Sequence, residues 1–290
     1  MTSTGEIRRV GVVGCGLMGS GIAEVASRSG LDVLVFEQSE AALHAGRKRI
    51  EGSLGRGLSR GKLTQDEHDA LLSRIGFTTA LDDFADRDVT VEAIVESESA
   101  KVELFGRLDK IVARTDAILA SNTSSIPIMK IAMATARPAQ VVGVHFFNPV
   151  PVLNLVELVP SILTSAETEA RATAFAEALG KTVIRSQDRA GFVVNSLLVP
   201  YILAAVRMYE SGFASAEDID TGMVEGCAHP MGPLHLADLI GLDTVNAIAE
   251  ALYDEYKEPL YAAPALLMRM VDAGLLGRKS GRGFFSYTDR

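Results

Sequence analysis

The run Gly14-Cys15-Gly16-Leu17-Met18-Gly19 constrains this chain more than any other feature. It follows a short β-branched stretch, Val10 to Val13, and leads into helically spaced apolar residues from Met18 to Ser29. Gly14 permits a tight turn, Gly16 lets the backbone approach a pyrophosphate, and Gly19 lets helix and strand pack closely. The helix N-terminus then offers unpaired N–H groups and positive potential to phosphates. Glu37 ends the next β-rich run, Val33 to Phe36, 21 residues after Gly16, where a ribose-binding acid is expected. Gly14, Gly16, Leu17, Met18, Gly19 and Glu37 are therefore cofactor-binding candidates. The alternative is a purely structural strand–turn–helix corner. A carboxylate accepts from both ribose hydroxyls but repels a 2′-phosphate, and no Arg or Lys follows Glu37 before Arg47. NAD is expected over NADP.

Short apolar runs and helical patterns alternate through the first two thirds of the chain. After a long helical region broken near Gly61, further β-rich runs are Val89 to Val95, Ala117 to Ala120, Val141 to Val144, Leu155 to Val159 and Thr182 to Ile184. This alternation predicts a doubly wound α/β sheet of Rossmann type. From Gly191 onward only helical periodicity and turns appear until the last few residues. The expected division is a nucleotide-binding domain over 1–188 and an all-α domain over 189–290. At about 150 residues per domain, a chain of 290 residues accommodates both. The apolar stretches Leu197 to Val206 and Pro264 to Leu267 suit either that domain's own core or a contact with a second subunit.

The formal net charge of −9 argues against nucleic acid or an anionic membrane surface as a partner. Thirteen acids and seven bases fall from residue 191 onward, so the helical region holds most of the excess. The charge-free stretch Ala190 to Val206 is 17 residues long, contains Asn195 and Pro200, and is shorter than the ~20 a membrane span needs. It reads as a buried helix. Two cysteines, Cys15 and Cys227, cannot build a disulfide framework, and Cys15 reads as a packing residue. The start of the chain lacks signal-peptide and transit-peptide patterns, so a cytoplasmic protein is expected. His229 and His235 are six apart with Pro230 and Pro233 between them, so no metal is expected and residues 229–233 read as an interdomain turn.

Three polar interruptions of apolar strands suggest chemistry. Ser121-Asn122-Thr123-Ser124-Ser125 follows Ala117 to Ala120, His145-Phe146-Phe147-Asn148-Pro149 follows Val141 to Val144, and Glu157 lies inside Leu155 to Val159. Ligands of open α/β sheets bind beyond the carboxyl ends of strands. A carboxylate in an apolar strand is costly without a partner, and His145 is the natural one. A histidine oriented by a glutamate can take the proton from an alcohol while hydride leaves the carbon. The alternatives are a satisfied strand-end histidine and a strand with one solvent-facing side. On spacing alone, Glu96 and Lys101 read as a surface pair.

Together with Gly191-Phe192-Val193-Val194-Asn195, His229-Pro230-Met231-Gly232-Pro233-Leu234 and Gly277-Arg278-Lys279-Ser280-Gly281-Arg282-Gly283-Phe284, these motifs occur in an order that resembles the 3-hydroxyacyl-CoA dehydrogenase family. The likeness covers about residues 7–287 and is nearest the short-chain 3-hydroxybutyryl-CoA branch. It implies reversible NAD-dependent oxidation of a (3S)-3-hydroxyacyl-CoA to a 3-ketoacyl-CoA. His145 would be acid and base, Glu157 its orienting partner, and Ser124 and Asn195 hydrogen-bonding groups at the reacting oxygen, in a cleft between the domains. Glu96, Lys101, Asn122, Ser124, Asn148 and Lys279 match positions near the nicotinamide half of NAD. A homodimer through the helical domain is implied as well.

Six bases and one acid lie between Arg47 and Lys62. Such a run is either a solvated face or a phosphate site. Ser53, Arg56 and Arg60 match family positions that contact coenzyme A, with Ser124 nearer the acyl end. Relatives often carry Lys in place of these arginines, and Arg meets phosphate with a planar fork instead. Two other functions compete. A phosphogluconate-type β-hydroxyacid dehydrogenase would need a Lys beside Asn195, and none is there. A catalytically idle NAD-binding relative would have lost some of Ser124, His145, Glu157 or Asn195, and all four are present.

Overall fold

The glycine-rich run forms a strand–turn–helix corner in the computed structural model, which describes residues 7–287. Strand β1 (Arg9–Val13) ends at Gly14, whose φ of +91° lies in the left-handed region that glycine enters without a Cβ clash. Helix α1 (Leu17–Arg28) starts at once. A Cβ on Gly19 would collide with the Gly14 carbonyl, so the helix approaches the turn closely only because that residue is glycine.

Helix α1 leads to β2 (Asp32–Phe36), then α2 (Glu40–Ser59) and α3 (Gln65–Ser73), which are separated at Gly61 (φ +65°). The Ser39 hydroxyl caps α2, and Thr64 with Glu67 forms a capping box on α3. Next come β3 (Ile75–Thr78), β4 (Val89–Glu92), α4 (Glu98–Ile111), β5 (Ile118–Ser121), α5 (Ile128–Ala132), β6 (Val141–Phe146), β7 (Leu155–Pro160), α6 (Ala166–Ala178) and β8 (Thr182–Arg185). Among the described residues these strands form one eight-stranded sheet in the order β3-β2-β1-β4-β5-β6-β7-β8. Every pairing is parallel except β6 with β7. The core packs Val10, Val12, Val33, Val35, Val89 and Val91 against Ile22, Ala26, Ile50 and Leu54.

Three expectations change. Strand β3 was hidden inside the helical stretch, because Gly76 and the outer-edge position leave only Ile75 of its four residues buried. The run Val89 to Val95 stops being strand at Glu92, where the chain turns around that carboxylate. Ser121 and His145 lie within strands β5 and β6 and do not follow them.

The chain divides into two compact units, Met1–Asp188 and Arg189–Arg290. The second contains α7 (Val194–Glu210), α8 (Ala216–Cys227), α9 (Pro233–Ile240), α10 (Leu242–Tyr256) and α11 (Ala265–Asp272). Its core gathers Val199, Ile202, Leu203, Val206, Leu234, Leu242, Leu252 and Leu267. Most of the two apolar stretches therefore serves this unit's own core, while Leu197 stays 74% exposed. Residues 229–233 run from the α8–α9 connection into the first residue of α9, inside this unit, and are not an interdomain turn. Asp220 there accepts from the Leu234 and His235 amides and meets His235 Nδ1 at 2.6 Å. Buried Asp238 accepts from the Phe284 and Phe285 amides and the Tyr287 hydroxyl. No helix among the described residues is long and apolar enough to cross a membrane. None of them forms a group of three or more His, Cys, Asp or Glu placed to hold a metal ion.

Candidate active site

The strand order reverses direction between β1 and β4, so the carboxyl ends of these two strands flank a crevice. A cavity of about 490 Å³ spans it, lined from the β1–β2 side by Gly14, Gly16, Glu37 and Ser39 and from the β4 side by Ile94 and Arg107, among others. A Cβ on Gly16 would meet no atom within 4 Å and would occupy the space open to a ligand's phosphates. Glu37 reaches back to accept the Cys15 amide, which fixes a carboxylate at the cavity wall. Open space over Gly16, a bare helix N-terminus and an anchored acid fit the pyrophosphate and ribose of NAD. Cys15 is fully buried beneath the loop, and burial, with Glu37 next, pushes its thiol up to about 12. It is a packing residue facing Gly46.

Across the switch point, charged groups gather at the ends of β4 and β5. Lys101 is almost wholly buried and bridges Glu92 at 2.6 Å and Glu96 at 3.0 Å. Glu92 is fully buried and also accepts from Ser121 Oγ at 2.6 Å and the Ile94 amide at 2.8 Å. Glu96 Oε1 accepts from the Thr123 hydroxyl and from the Ser124 and Ser125 amides. Burial alone would raise the Glu96 carboxyl, but Lys101, Thr123 and Ser124 outweigh it and hold it below the usual carboxylate range. Glu96 and Lys101 are thus no surface pair, because Lys101 lies inside. Sequence reasoning missed Glu92. The cost of an acid in an apolar strand singled out Glu157, and the same reasoning applied to the Val89 run would have found it.

The third group sits on the antiparallel pair. His145 and Glu157 are register partners, facing each other across β6 and β7. In an antiparallel pair, directly opposed side chains lie on the same face a few Å apart. His145 Nδ1 meets Glu157 Oε2 at 2.7 Å, with both side chains buried. The Phe147 ring lies 4.6 Å from the imidazole, centroid to centroid. Asn122 Oδ1 accepts the Phe146 amide at 2.8 Å, which ties the end of β5 to the histidine's own strand. Ser124 is half-buried in the loop after β5, and Asn148 is exposed after β6.

A second cavity of about 230 Å³ is lined by Leu17, Lys48, Arg49, Ser53, Arg56 and Asn148, among others. Half of the basic run therefore converges there. Arg49 also donates to the Cys15 carbonyl at 3.3 Å. Arg60 caps the end of α2 and does not line this cavity. In the second unit, Asn195 is buried in the first turn of α7, and Lys279 forms an ion pair with Asp243.

Comparison with known proteins identifies the family. Residues 9–189 match the model of the 3-hydroxyacyl-CoA dehydrogenase NAD binding domain, and residues 191–287 match that family's C-terminal domain. A 3-hydroxybutyryl-CoA dehydrogenase of Mycobacterium tuberculosis is 58% identical over 282 residues, 97% of this chain and 99% of the relative. The crystal structure of M. tuberculosis FadB2 aligns with a TM-score of 0.97 at 57% identity, covering 98% of this chain and 100% of that one. The (S)-3-hydroxybutyryl-CoA dehydrogenase PaaH1 of Ralstonia eutropha aligns at 0.93 and 45% identity, covering 98% and 100%. With both domain models matched in order and relatives aligned end to end, this chain belongs to the 3-hydroxyacyl-CoA dehydrogenase family and is an oxidoreductase that uses NAD.

Proposed function

We propose that the chain interconverts (3S)-3-hydroxybutyryl-CoA and acetoacetyl-CoA, with His145 as the acid–base group. The observation that carries this reading is the buried contact of His145 Nδ1 with Glu157 at 2.7 Å. A carboxylate at Nδ1 fixes the imidazole in the tautomer that bears its proton there, and proton exchange with substrate is assigned to Nε2. In the oxidation direction Nε2 takes the proton of the C3 hydroxyl. Glu157 stabilises the imidazolium that results. Ser124 holds the reacting oxygen by a hydrogen bond, and Asn195 keeps the role implied by the resemblance. When bound, NAD supplies the acceptor for the hydride leaving C3. Gly14, Gly16, Leu17, Met18, Gly19 and Glu37 hold its phosphates and ribose, and Glu96, Lys101, Asn122, Asn148 and Lys279 serve its nicotinamide half.

Lys48, Arg49, Ser53 and Arg56 around the smaller cavity are assigned to the phosphates of coenzyme A. Arg60, two residues short of the end of the basic run, is assigned a peripheral contact only. The (3S) configuration and the C4 acyl chain follow the named activities of the relatives. A homodimer through the second unit is part of the proposal, supported by exposed Leu197 on α7 and exposed Phe213 in the turn that follows it, and light scattering tests it. A cytoplasmic setting suits the free thiol of Cys227, which is exposed.

The deciding experiment follows NADH absorbance with acetoacetyl-CoA, then with longer 3-ketoacyl-CoAs, and repeats each with NADPH. Fastest turnover is expected with acetoacetyl-CoA and NADH. Protein that binds NADH but turns over no acyl-CoA would overturn the reading.

A further inference from the structure

The Glu92–Lys101–Glu96 cluster contains two carboxylates and one ammonium. Its ion pairs are close, at 2.6 and 3.0 Å, yet one negative charge is left over. The next ion pair along α4, Lys130 with Glu98 at 2.7 Å, is neutral in itself and leaves that excess uncancelled. Burying a second acid beside a lysine that already has one is costly, because each buried ion loses its hydration. Glu92 uses both carboxylate oxygens, Oε1 for Lys101 Nζ and the Ile94 amide and Oε2 for the Ser121 hydroxyl, which a neutral amide with a single acceptor oxygen could not reproduce.

The position of the cluster suggests what the charge does. It lies at the carboxyl ends of β4 and β5, beside the β4 wall of the cavity whose other wall carries Glu37. A dinucleotide spanning that switch point with its adenosine ribose at Glu37 has its nicotinamide half on the β4–β5 side. The oxidised ring is a pyridinium cation and the reduced ring is neutral. A fixed negative charge in a low-dielectric site attracts the first and is indifferent to the second.

We infer that Glu92 is a charge-setting and positioning residue. Through Lys101 it holds Glu96, and it gives the cluster the net negative charge that favours oxidised over reduced cofactor. The inference rests on NAD lying across the switch point as proposed above. Its test is binding without acyl-CoA, so its failure is separate from a failure of turnover.

Kd is measured for NADH by fluorescence titration and for NAD by calorimetry, on the full chain. In Glu92→Gln the ratio Kd(NAD)/Kd(NADH) should rise about fivefold, the order expected for removing one partly screened charge. In Ser121→Ala, which removes a hydrogen bond and keeps the charge, the ratio should stay within about twofold of the original. A Glu92→Gln protein that weakens both cofactors equally, or neither, overturns the inference. Should that variant not fold, Glu96→Gln removes the same unit of charge from the solvent-facing end, and the same two outcomes decide.

Discussion

Two buried carboxylates, one in each unit, show how the partner decides what an acid is for. Glu157 meets an imidazole, a group that gains and loses a proton near neutrality in ordinary chemistry. Asp238 accepts from two backbone amides and a phenol, donors that do not exchange protons in that range. Both acids are almost inaccessible to water. The proposed role of the first is to work on a moving proton, whereas the second ties the segment around Gly283 to α9. Burial and hydrogen bonding alone therefore do not mark a catalytic acid. The kind of partner separates the two acids.

Substitutions should separate the two. The largest effect is expected for His145→Ala, a loss of at least ~10²-fold in kcat, the low end for removing a general acid–base. Steady-state assay with acetoacetyl-CoA measures it, and unchanged turnover would remove His145 from the chemistry. Asp238→Ala should instead cost stability. It leaves the Phe284 and Phe285 amides without their acceptor, at about 2–3 kcal/mol in urea unfolding. A midpoint equal to that of the parent protein would show that the acid is dispensable. Glu157→Gln keeps the shape and removes the charge that supports the imidazolium. It should lower kcat about tenfold or more, with a smaller change in unfolding than Asp238→Ala produces.

The smallest effect concerns alkali. Burial, and then Asp238, push the Tyr287 hydroxyl up to about 12 from the ordinary 10.0. The folded state thus keeps a proton that the unfolded chain releases. The stabilisation is complete below pH 10 and is lost as pH rises from 10 to 12. Comparing unfolding midpoints at pH 9 and pH 11, Tyr287→Phe should lose less stability than the parent, by about 1 kcal/mol after allowing for partial exposure. Parallel losses in the two proteins would refute it.

The sequence made the strand–turn–helix corner legible because glycine spacing reports directly on backbone conformation. His145 and Glu157 were legible as costs, a polar group in each of two apolar strands. Their contact was not, because register is a property of two strands. Strand β3 escaped notice since an edge strand needs little apolar surface, and Gly76 erases its alternation. Lys101 reads as a surface residue on its helix. The carboxylates of Glu92 on a neighbouring strand and of Glu96 explain why an ammonium sits inside. The basic run showed its charge but not its direction. Lys48, Arg49 and Arg56 line a cavity while Arg60 caps a helix, a distinction set by helical phase and by where α2 ends.

The one antiparallel pairing within the described sheet has a consequence for assembly. Parallel neighbours are joined by long crossovers, but β6 and β7 are linked by residues 147–154 alone. His145 and Glu157 are only 12 positions apart along the chain. Closing so short a loop costs less entropy, by about 2 kcal/mol, than closing the crossovers that bring Gly14 beside Ala93. The proposed acid–base pair is a local device carried on one hairpin, whereas the crevice beside Gly14 is a collective product of the sheet. Damage to remote crossovers should therefore abolish nucleotide binding before it separates the histidine from its glutamate.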